Sequence, residues 1–307
     1  MLVFDSLDKI RNAGPSVVTV GTFDGVHLGH QKIVDFLKAK AKYFQALATV
    51  VTFNPHPKKI LAKNSNTPIR VLTSLPEKLA YFSMQGITQA VVIQFTREFA
   101  GISYQDFVQK ILLTKLNARA IIVGYDHHFG KNREGSYENL KLLGEKLGFE
   151  TFQVPPHKVQ GKIVSSSEIR KLLCEGKIEE VTRFLGRPYS LFGLVEHGDG
   201  RGQGLGFPTA NIRVTDPEKI IPPRGVYAVD VWVDKKEYAG MMNIGIRPTF
   251  NIDTLTLEVH IFNFNASIYN KNIEVRFKKR IRDEQKFEDA EALKKQLEYD
   301  KKICEAL

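Results

Sequence analysis

Ten residues, Gly21 to His30 (Gly-Thr-Phe-Asp-Gly-Val-His-Leu-Gly-His), limit what this chain can fold into more than any other stretch. Val17, Val18, Thr19 and Val20 before them read as a buried strand, and Gly21 and Gly25 allow the chain to turn sharply after it. Beyond His30 the apolar residues Ile33, Val34, Leu37 and Ala41 recur at helical spacing. The segment is therefore a strand-to-helix turn, with His27 and His30 where a helix N-terminus offers unpaired N–H groups and partial positive charge to an anion. Two imidazoles three residues apart at that place can face one phosphate and donate to charge developing on phosphorus. The plain alternative is that one histidine caps the helix while the other packs.

With 307 residues, the chain suits two domains, and its 43% hydrophobic and 25% charged content excludes a disordered polymer. No run approaches 18 apolar residues, and Met1 to Arg11 carries Asp5 and Asp8, which predicts neither a membrane span nor a signal peptide. Cys174 and Cys304 have no metal-type spacing and fit a cytoplasmic protein with reduced thiols. The net charge of +10 is unevenly spread: 25 basic face 16 acidic residues through Gly186, and 19 face 18 thereafter. With no arginine-rich tract or nucleic-acid module, that N-terminal excess points to nucleoside polyphosphates, and no nucleic acid is expected.

Up to residue 154, apolar strands alternate with amphipathic helices: Ala46 to Phe53, Ala90 to Phe95, Ala120 to Gly124 and Thr151 to Val154 follow the first strand. Ser74 with Glu77, and Ser103 with Asp106, mark helix starts at capping-box spacing. The pattern predicts an α/β domain, a doubly wound parallel sheet with ligands at the carboxyl ends of its strands. After a short helix, Ile178 to Leu185, which stops at Gly186, closely spaced strands take over: 190–196, 226–233, 238–244, 255–262 and 273–279. A small antiparallel β-barrel with one helix from about Phe287 is expected, and the domain boundary falls at 186/187.

In the first half, Asn54-Pro55-His56-Pro57 ends the second strand and holds His56 between two prolines at the same sheet edge. The fourth strand empties into Gly124 to Ser136, a glycine-punctuated loop with Lys131 and Arg133 suited to phosphate or a ring system. Adjacent His127 and His128 point apart on extended chain and do not suggest a metal site. Ser165 and Glu168 have capping-box spacing, and Ser166, Ser167 and Arg170 in that first turn add hydroxyls and a cation for an anion. No nucleophile–base pair or Walker loop occurs, so direct attack of one substrate's phosphate on the α-phosphorus of ATP is the expected chemistry.

In the second half, Gly198 to Gly206 holds five glycines, of which Gly202, Gly204 and Gly206 can bring backbone N–H groups to phosphates. Thr209 and Asn211, two apart on extended chain, face one side and offer oxygens to Mg²⁺. From Leu255 to Ile261 apolar and polar residues alternate, which predicts a core face of Leu255, Leu257, Val259 and Ile261 and an open face of Thr256, Glu258 and His260.

The Gly21–His30 segment resembles the H-x-G-H signature of the nucleotidylyltransferase superfamily. With Pro55-His56-Pro57, the 124–136 loop, Ser165–Arg170, Pro208-Thr209-Ala210-Asn211 and Glu258, nearly the whole chain resembles the prokaryotic bifunctional riboflavin kinase/FAD synthetase family. The resemblance implies that the first half adenylylates FMN and the second phosphorylates riboflavin, each with ATP and Mg²⁺. It implies His27 and His30 as catalytic residues, with Gly21, Phe23, Asp24 and His56 about the nucleotide and Ser166, Ser167 and Arg170 on the ATP phosphates. Asp126, Phe129 and Arg133 would meet flavin in the first half, and Arg224 and Arg282 in the second. Thr209 and Asn211 would hold the ATP-bound magnesium, and Glu258 would be the base for the riboflavin 5′-hydroxyl. The sequence departs from the family's pattern at His127, Ser136, Ser167, Asn263 and Ala266 to Asn270. Two other readings stay open: a nucleotidylyltransferase for another phosphorylated acceptor, and a non-enzymatic flavin- or RNA-binding protein. No membrane or obligate protein partner is implied.

Overall fold

A computed structural model describes residues 1–10, 14–62, 69–131, 134–198, 204–249 and 252–307. Its backbone forms two compact units, Met1–Ser166 and Ser167–Leu307.

The first unit is built on β1 (Leu2–Phe4), β2 (Ser16–Val20), β3 (Leu47–Asn54), β4 (Gln89–Gln94), β5 (Ala118–Gly124) and β6 (Glu150–Val154). They form one sheet in the order β1-β4-β3-β2-β5-β6, every pair parallel. Successive strand residues enter opposite layers: Val18, Val51 and Ile121 join one apolar cluster, Val17, Val50, Ala120 and Ile122 the other. Burial on both faces explains why β2 and β3 read as unbroken β-branched runs rather than alternating ones. Helix α1 (Leu28–Tyr43) buries Val34, Leu37 and Ala41, three of the positions its periodicity marked. Strand order reverses between β2 and β5, so the crevice for a ligand opens beyond their carboxyl ends.

Several short elements were not anticipated, among them an edge strand and a hairpin. Strand β1 is only three residues long, too short to show a period, and it adds to the outer edge beside β4. A hairpin of β7 (Lys158–Val159) and β8 (Lys162–Ile163) follows β6. The helix expected to start at Ser103 does so, with the Ser103 hydroxyl accepting the Asp106 N–H, and over Phe107–Lys115 it is a π-helix that buries Phe107, Val108, Ile111 and Leu112.

The second unit contains a closed barrel of β9 (Tyr189–Glu196), β10 (Ala210–Val214), β11 (Gly225–Val233), β12 (Lys236–Thr249), β13 (Ile252–Ile261) and β14 (Asn272–Arg282). Alternate residues fill its interior: Tyr227, Val229, Val231, Val259, Val275 and Phe277 are all exposed by 1% or less. The terminal helix runs Ala290–Glu305, starting later than expected because the Asp289 carboxylate accepts the Ala292 N–H at 2.8 Å and so caps it. A second apolar layer, Phe207, Ala228, Met241, Phe262 and Cys304 with Leu297, lies outside the barrel wall under this helix. That layer corrects the reading of β13: Leu255 is 41% exposed, whereas His260 is buried at 8%.

The change of pattern at Gly186 is real in the backbone, which turns left-handed there (φ 72°) to end the helix Ile178–Leu185. That helix nevertheless packs on β14 and β9, burying Ile178, Val181, Phe184 and Leu185 to 2% exposure or less. A fragment 187–307 should consequently melt well below a fragment 167–307, since each of these side chains contributes about 1.5–3 kcal/mol of burial. Thermal unfolding of the two, followed by circular dichroism, checks this, and equal midpoints would show the helix to be dispensable.

Candidate active sites

The turn after β2 is unusual in its backbone. Phe23 (φ 48°), Gly25 (φ 86°) and Val26 (φ 38°) are all left-handed, and for a β-branched residue such as Val26 that conformation must be held in place. The groups that hold it come from residues 72, 73 and 166. The buried Asp24 carboxylate accepts the Leu72 N–H at 2.9 and 3.1 Å, the Thr73 N–H at 3.0 Å and the Thr73 hydroxyl at 3.4 Å. Thr73 Oγ1 in turn accepts the Gly25 N–H at 2.9 Å, and Ser166 Oγ donates to the Asp24 carbonyl at 2.8 Å. Phe23 is buried edge-on to Phe82, at 5.5 Å between ring centroids, and to His30, at 5.2 Å.

His27 caps α1: its Nδ1 accepts the His30 N–H at 3.3 Å, which leaves Nε2 to carry the ring proton. The two imidazoles stack with centroids 3.6 Å apart and planes 16° from parallel. A side chain at Gly29 would stand 3.2 Å from the His27 ring, so glycine between the histidines keeps the stack possible. Burial, then the neighbouring His27 and the Lys78 ammonium, hold the His30 pKa well below 6.5, so this ring is neutral at pH 7. Its Nδ1 is buried and has no protein partner. His56 caps the helix α2 (Pro57–Leu61) at the end of β3, its Nδ1 accepting the Lys58 N–H at 3.2 Å.

In the loop after β5, Asp126 is exposed, whereas Phe129 is half-buried against Phe107 and bridges to Gly135. Arg133 lies outside the described residues, as does Gly202 of the second half. Ser166 begins the helix Ser166–Cys174, and Ser167 and Arg170 follow in its first turns.

In the barrel, register places Asn211 of β10 and Asn243 of β12 on either side of Glu258 in β13, so the three side chains share one face. Thr209 Oγ1 donates to Glu258 Oε2 at 3.4 Å. A side chain at Gly198 would collide with the Asn211 carboxamide, and one at Gly245 with the Glu284 carboxylate, leaving 3.0 Å to the Asn243 amide. Glycine at both places is the space in which these polar groups lie. Gly206 is left-handed (φ 82°), and nothing stands within 4 Å of a side chain built there or at Gly204. His260 Nδ1 lies 2.8 Å from the Pro208 carbonyl with its ring 5.2 Å from Phe207, which holds the strand entering Thr209. Arg224 pairs loosely with Glu284 at 3.9 Å. Arg282 is committed elsewhere: its guanidinium binds the fully buried Asp300 carboxylate at 2.8–3.2 Å and ties β14 to the terminal helix.

Comparison with known proteins decides what these two oxygen- and nitrogen-lined sites belong to. Residues 9–168 match the FAD synthetase family model, and residues 185–307 match the riboflavin kinase model. Bifunctional riboflavin kinase/FMN adenylyltransferases from Buchnera aphidicola (Schizaphis graminum), Bacillus subtilis and Escherichia coli are 40%, 36% and 34% identical. These alignments cover 97%, 93% and 92% of this chain and 95%, 90% and 90% of theirs. The chain belongs to the bifunctional riboflavin kinase/FMN adenylyltransferase family. It phosphorylates riboflavin to FMN and adenylylates FMN to FAD. A crystal structure described as a macrolide-efflux protein from Streptococcus pneumoniae shares the fold, with TM-score 0.91, 30% identity and coverage of 100% and 99% of the two chains. Among the described residues no helix is long and apolar enough to cross a membrane.

The structure brings His27, His30, Gly21, Phe23, Asp24 and Ser166 together in the first unit and Thr209, Asn211 and Glu258 together in the second. One residue that the structure brings to the first of these clusters had no signal in the sequence. Lys78 sits in a helical pattern like any solvated lysine, yet it is buried at 5% and reaches the turn. The geometry at Gly198 predicts that Gly198→Ala, by displacing the Asn211 carboxamide, slows FMN formation by about 10- to 100-fold, the scale for an ångström of misplacement. FAD formation from supplied FMN should be unchanged. Separate assays of the two products check it.

Proposed function

We propose that His27 and His30 carry adenylyl transfer and Glu258 carries riboflavin phosphorylation, with residues 1–186 and 187–307 as the two functional halves. The observation supporting the first role is the stacked imidazole pair at the N-terminus of α1, with the His30 ring held neutral, beyond the reversal point of the sheet. An FMN phosphate oxygen attacks the α-phosphorus of ATP and pyrophosphate leaves. His27 Nε2–H and the free N–H groups of α1 donate to the charge that develops, so no covalent intermediate is required. Gly21, Phe23 and His56 border the nucleotide. Asp24, with its carboxylate given to the 72–73 backbone, shapes the turn rather than touching phosphate. Ser166, Ser167 and Arg170 are assigned to the ATP phosphates by their motif, and Asp126, Phe129 and Arg133 to the flavin.

In the barrel, Glu258 accepts the proton of the riboflavin 5′-hydroxyl as that oxygen attacks the γ-phosphorus. Thr209 Oγ1 and the Asn211 carboxamide are oxygen donors of the kind that Mg²⁺ takes and would hold it with ATP, and the space against Gly198 in which the carboxamide lies suits that use. Mg²⁺ bound with ATP neutralises charge on the transferred phosphate in this site and on the polyphosphate in the first. Gly204 and Gly206 present backbone to phosphate, with Gly202 assigned there by its motif alone, and Arg224 faces the flavin, whereas Arg282 anchors the terminal helix. ATP and flavins are the partners of this reading; the protein acts in the cytoplasm and needs no nucleic acid, membrane or obligate protein partner.

Replacing His27 or His30 with Ala should lower FAD formation by about 100-fold or more, the scale for one oxyanion-type donor, with FMN formation intact. An equal fall in both activities together with a lower melting temperature would make the histidines structural. Glu258→Gln should do the converse, lowering FMN formation by roughly 100- to 10,000-fold, as loss of a general base does, while FAD formation from supplied FMN persists. Near-normal kinase turnover in that variant would move the base elsewhere.

A further inference from the structure

Lysines on helices normally bury their stems and keep the ammonium in water. Lys78, in the helix α3 (Leu75–Met84), does the reverse: the residue is 5% exposed and its Nζ points inward, donating to the Thr22 carbonyl at 2.6 Å and lying 3.5 Å from Thr52 Oγ1. Burying an ammonium costs several kcal/mol, and an apolar side chain would fill the same space without that cost. What the charge does is visible in its acceptors. The Thr22 carbonyl also receives the Thr52 hydroxyl at 3.2 Å, so the first peptides beyond β2 are pinned from β3 and α3 together. The next residue is the left-handed Phe23, whose ring meets His30.

We propose that Lys78 is a positioning residue for adenylyl transfer: its ammonium fixes the Thr22 carbonyl and, through the Phe23 ring, sets the orientation of His30. The inference rests on the reading of His27 and His30 as the transfer site. Lys78 acts on His30 in a second way, since its charge is one of the causes that keep that imidazole unprotonated. The groups facing the ammonium are Asp24 from the turn and His30 from α1, with His27 stacked behind it. Glu77, on its own helix, is occupied by the Ser74 N–H at 2.6 Å.

Burial draws the Lys78 pKa from 10.5 down to about 8, with Asp24 opposing the shift. The ammonium is therefore present below about 8 and lost above it. Stability moves the other way. Between about 8 and 10.5 the unfolded chain holds more protons at this site, so the contribution of Lys78 to folding rises with pH. An alkaline loss of FAD formation is then not a loss of fold at this site.

The test uses the full chain, with FMN formation and thermal unfolding as folding controls. In the wild-type protein at saturating ATP and FMN, kcat for FAD formation should fall above about pH 8 while FMN formation does not follow it. Lys78→Met should lower that kcat by about 10- to 100-fold with KM for both substrates within about threefold, as misplacement of a catalytic group does. Lys78→Arg, whose charge persists beyond pH 12, should restore part of the kcat and move the alkaline limb upward by about one unit or more. A flat wild-type profile from pH 7 to 9.5, or a Lys78→Met kcat within about threefold of wild type, overturns the proposal, and so does an unmoved limb in an active Lys78→Arg. If Lys78→Arg is inactive, the wild-type profile and Lys78→Met decide. His30→Ala separates this inference from the one beneath it: normal FAD formation there sinks the histidine reading, whereas a large loss there beside a normal Lys78→Met sinks only the role of Lys78.

Discussion

The buried Asp24 carboxylate is the interaction on which the adenylyl site depends. A turn with left-handed Phe23 and Val26 does not hold itself; backbone in those regions costs roughly 1–3 kcal/mol per residue and persists only where surroundings over-determine it. Asp24 supplies that determination by accepting two backbone N–H groups and a hydroxyl from residues 72 and 73, which lie directly before the capped start of α3. The same contacts bring α3, and with it Lys78, against the end of β2. One carboxylate thereby orients the turn, the capping histidine and the helix that carries the buried cation. The Asp24 carboxylate is turned to the 72–73 backbone, and the Lys78 ammonium faces the same negative charge.

The barrel meets the same demand by different means. Its site lies on the outer face of the wall, where β10, β13 and β12 bring Asn211, Glu258 and Asn243 into one row. That face would be open to water were it not roofed further along by Phe207, Phe262 and the terminal helix. Arg282 and Asp300 fasten the roof through a two-pronged pair with the carboxylate fully buried, and Gln296 donates to the same carboxylate at 2.8 Å. Removing one partner of such a pair is far more costly than never having had it, which makes Arg282 poorly suited to exchange its partner for a ligand.

What could be read from the sequence were features encoded within a few residues. The strand-to-helix turn, the parallel sheet, the Gly186 stop and the Thr209–Asn211 spacing depend on local periodicity and on glycine or proline at fixed offsets. What was missed depends on contacts between distant segments. His260 is buried although it lies on the outer face of β13, because Phe207, Phe262 and the C-terminal helix cover that part of the face, while Leu257, Val259 and Ile261 keep the expected core side and Leu255 does not. The helix Ile178–Leu185 lies before the sequence break yet packs on β14, so a boundary drawn from pattern and a boundary drawn from packing differ. Lys78 was invisible for the same reason: on a helical projection it is a lysine, and only the arrival of α3 beneath the β2 turn makes it part of a site.

The two sites also explain why one chain keeps two sets of residues for two transfers from ATP. Adenylyl transfer has an acceptor that is already a phosphate anion, so a base has nothing to remove, and a carboxylate aimed at the reaction would add repulsion. The site proposed there has stacked imidazoles, of which His30 is held neutral, helix N–H groups and a buried ammonium. Riboflavin offers a neutral hydroxyl that must lose its proton as it attacks, and the barrel presents a half-buried carboxylate with a hydroxyl and carboxamides beside it. An environment built to stabilise developing negative charge and one built to accept a proton place opposite demands on local electrostatics. Separate domains satisfy both, and the product of the barrel's reaction is the acceptor for the sheet's.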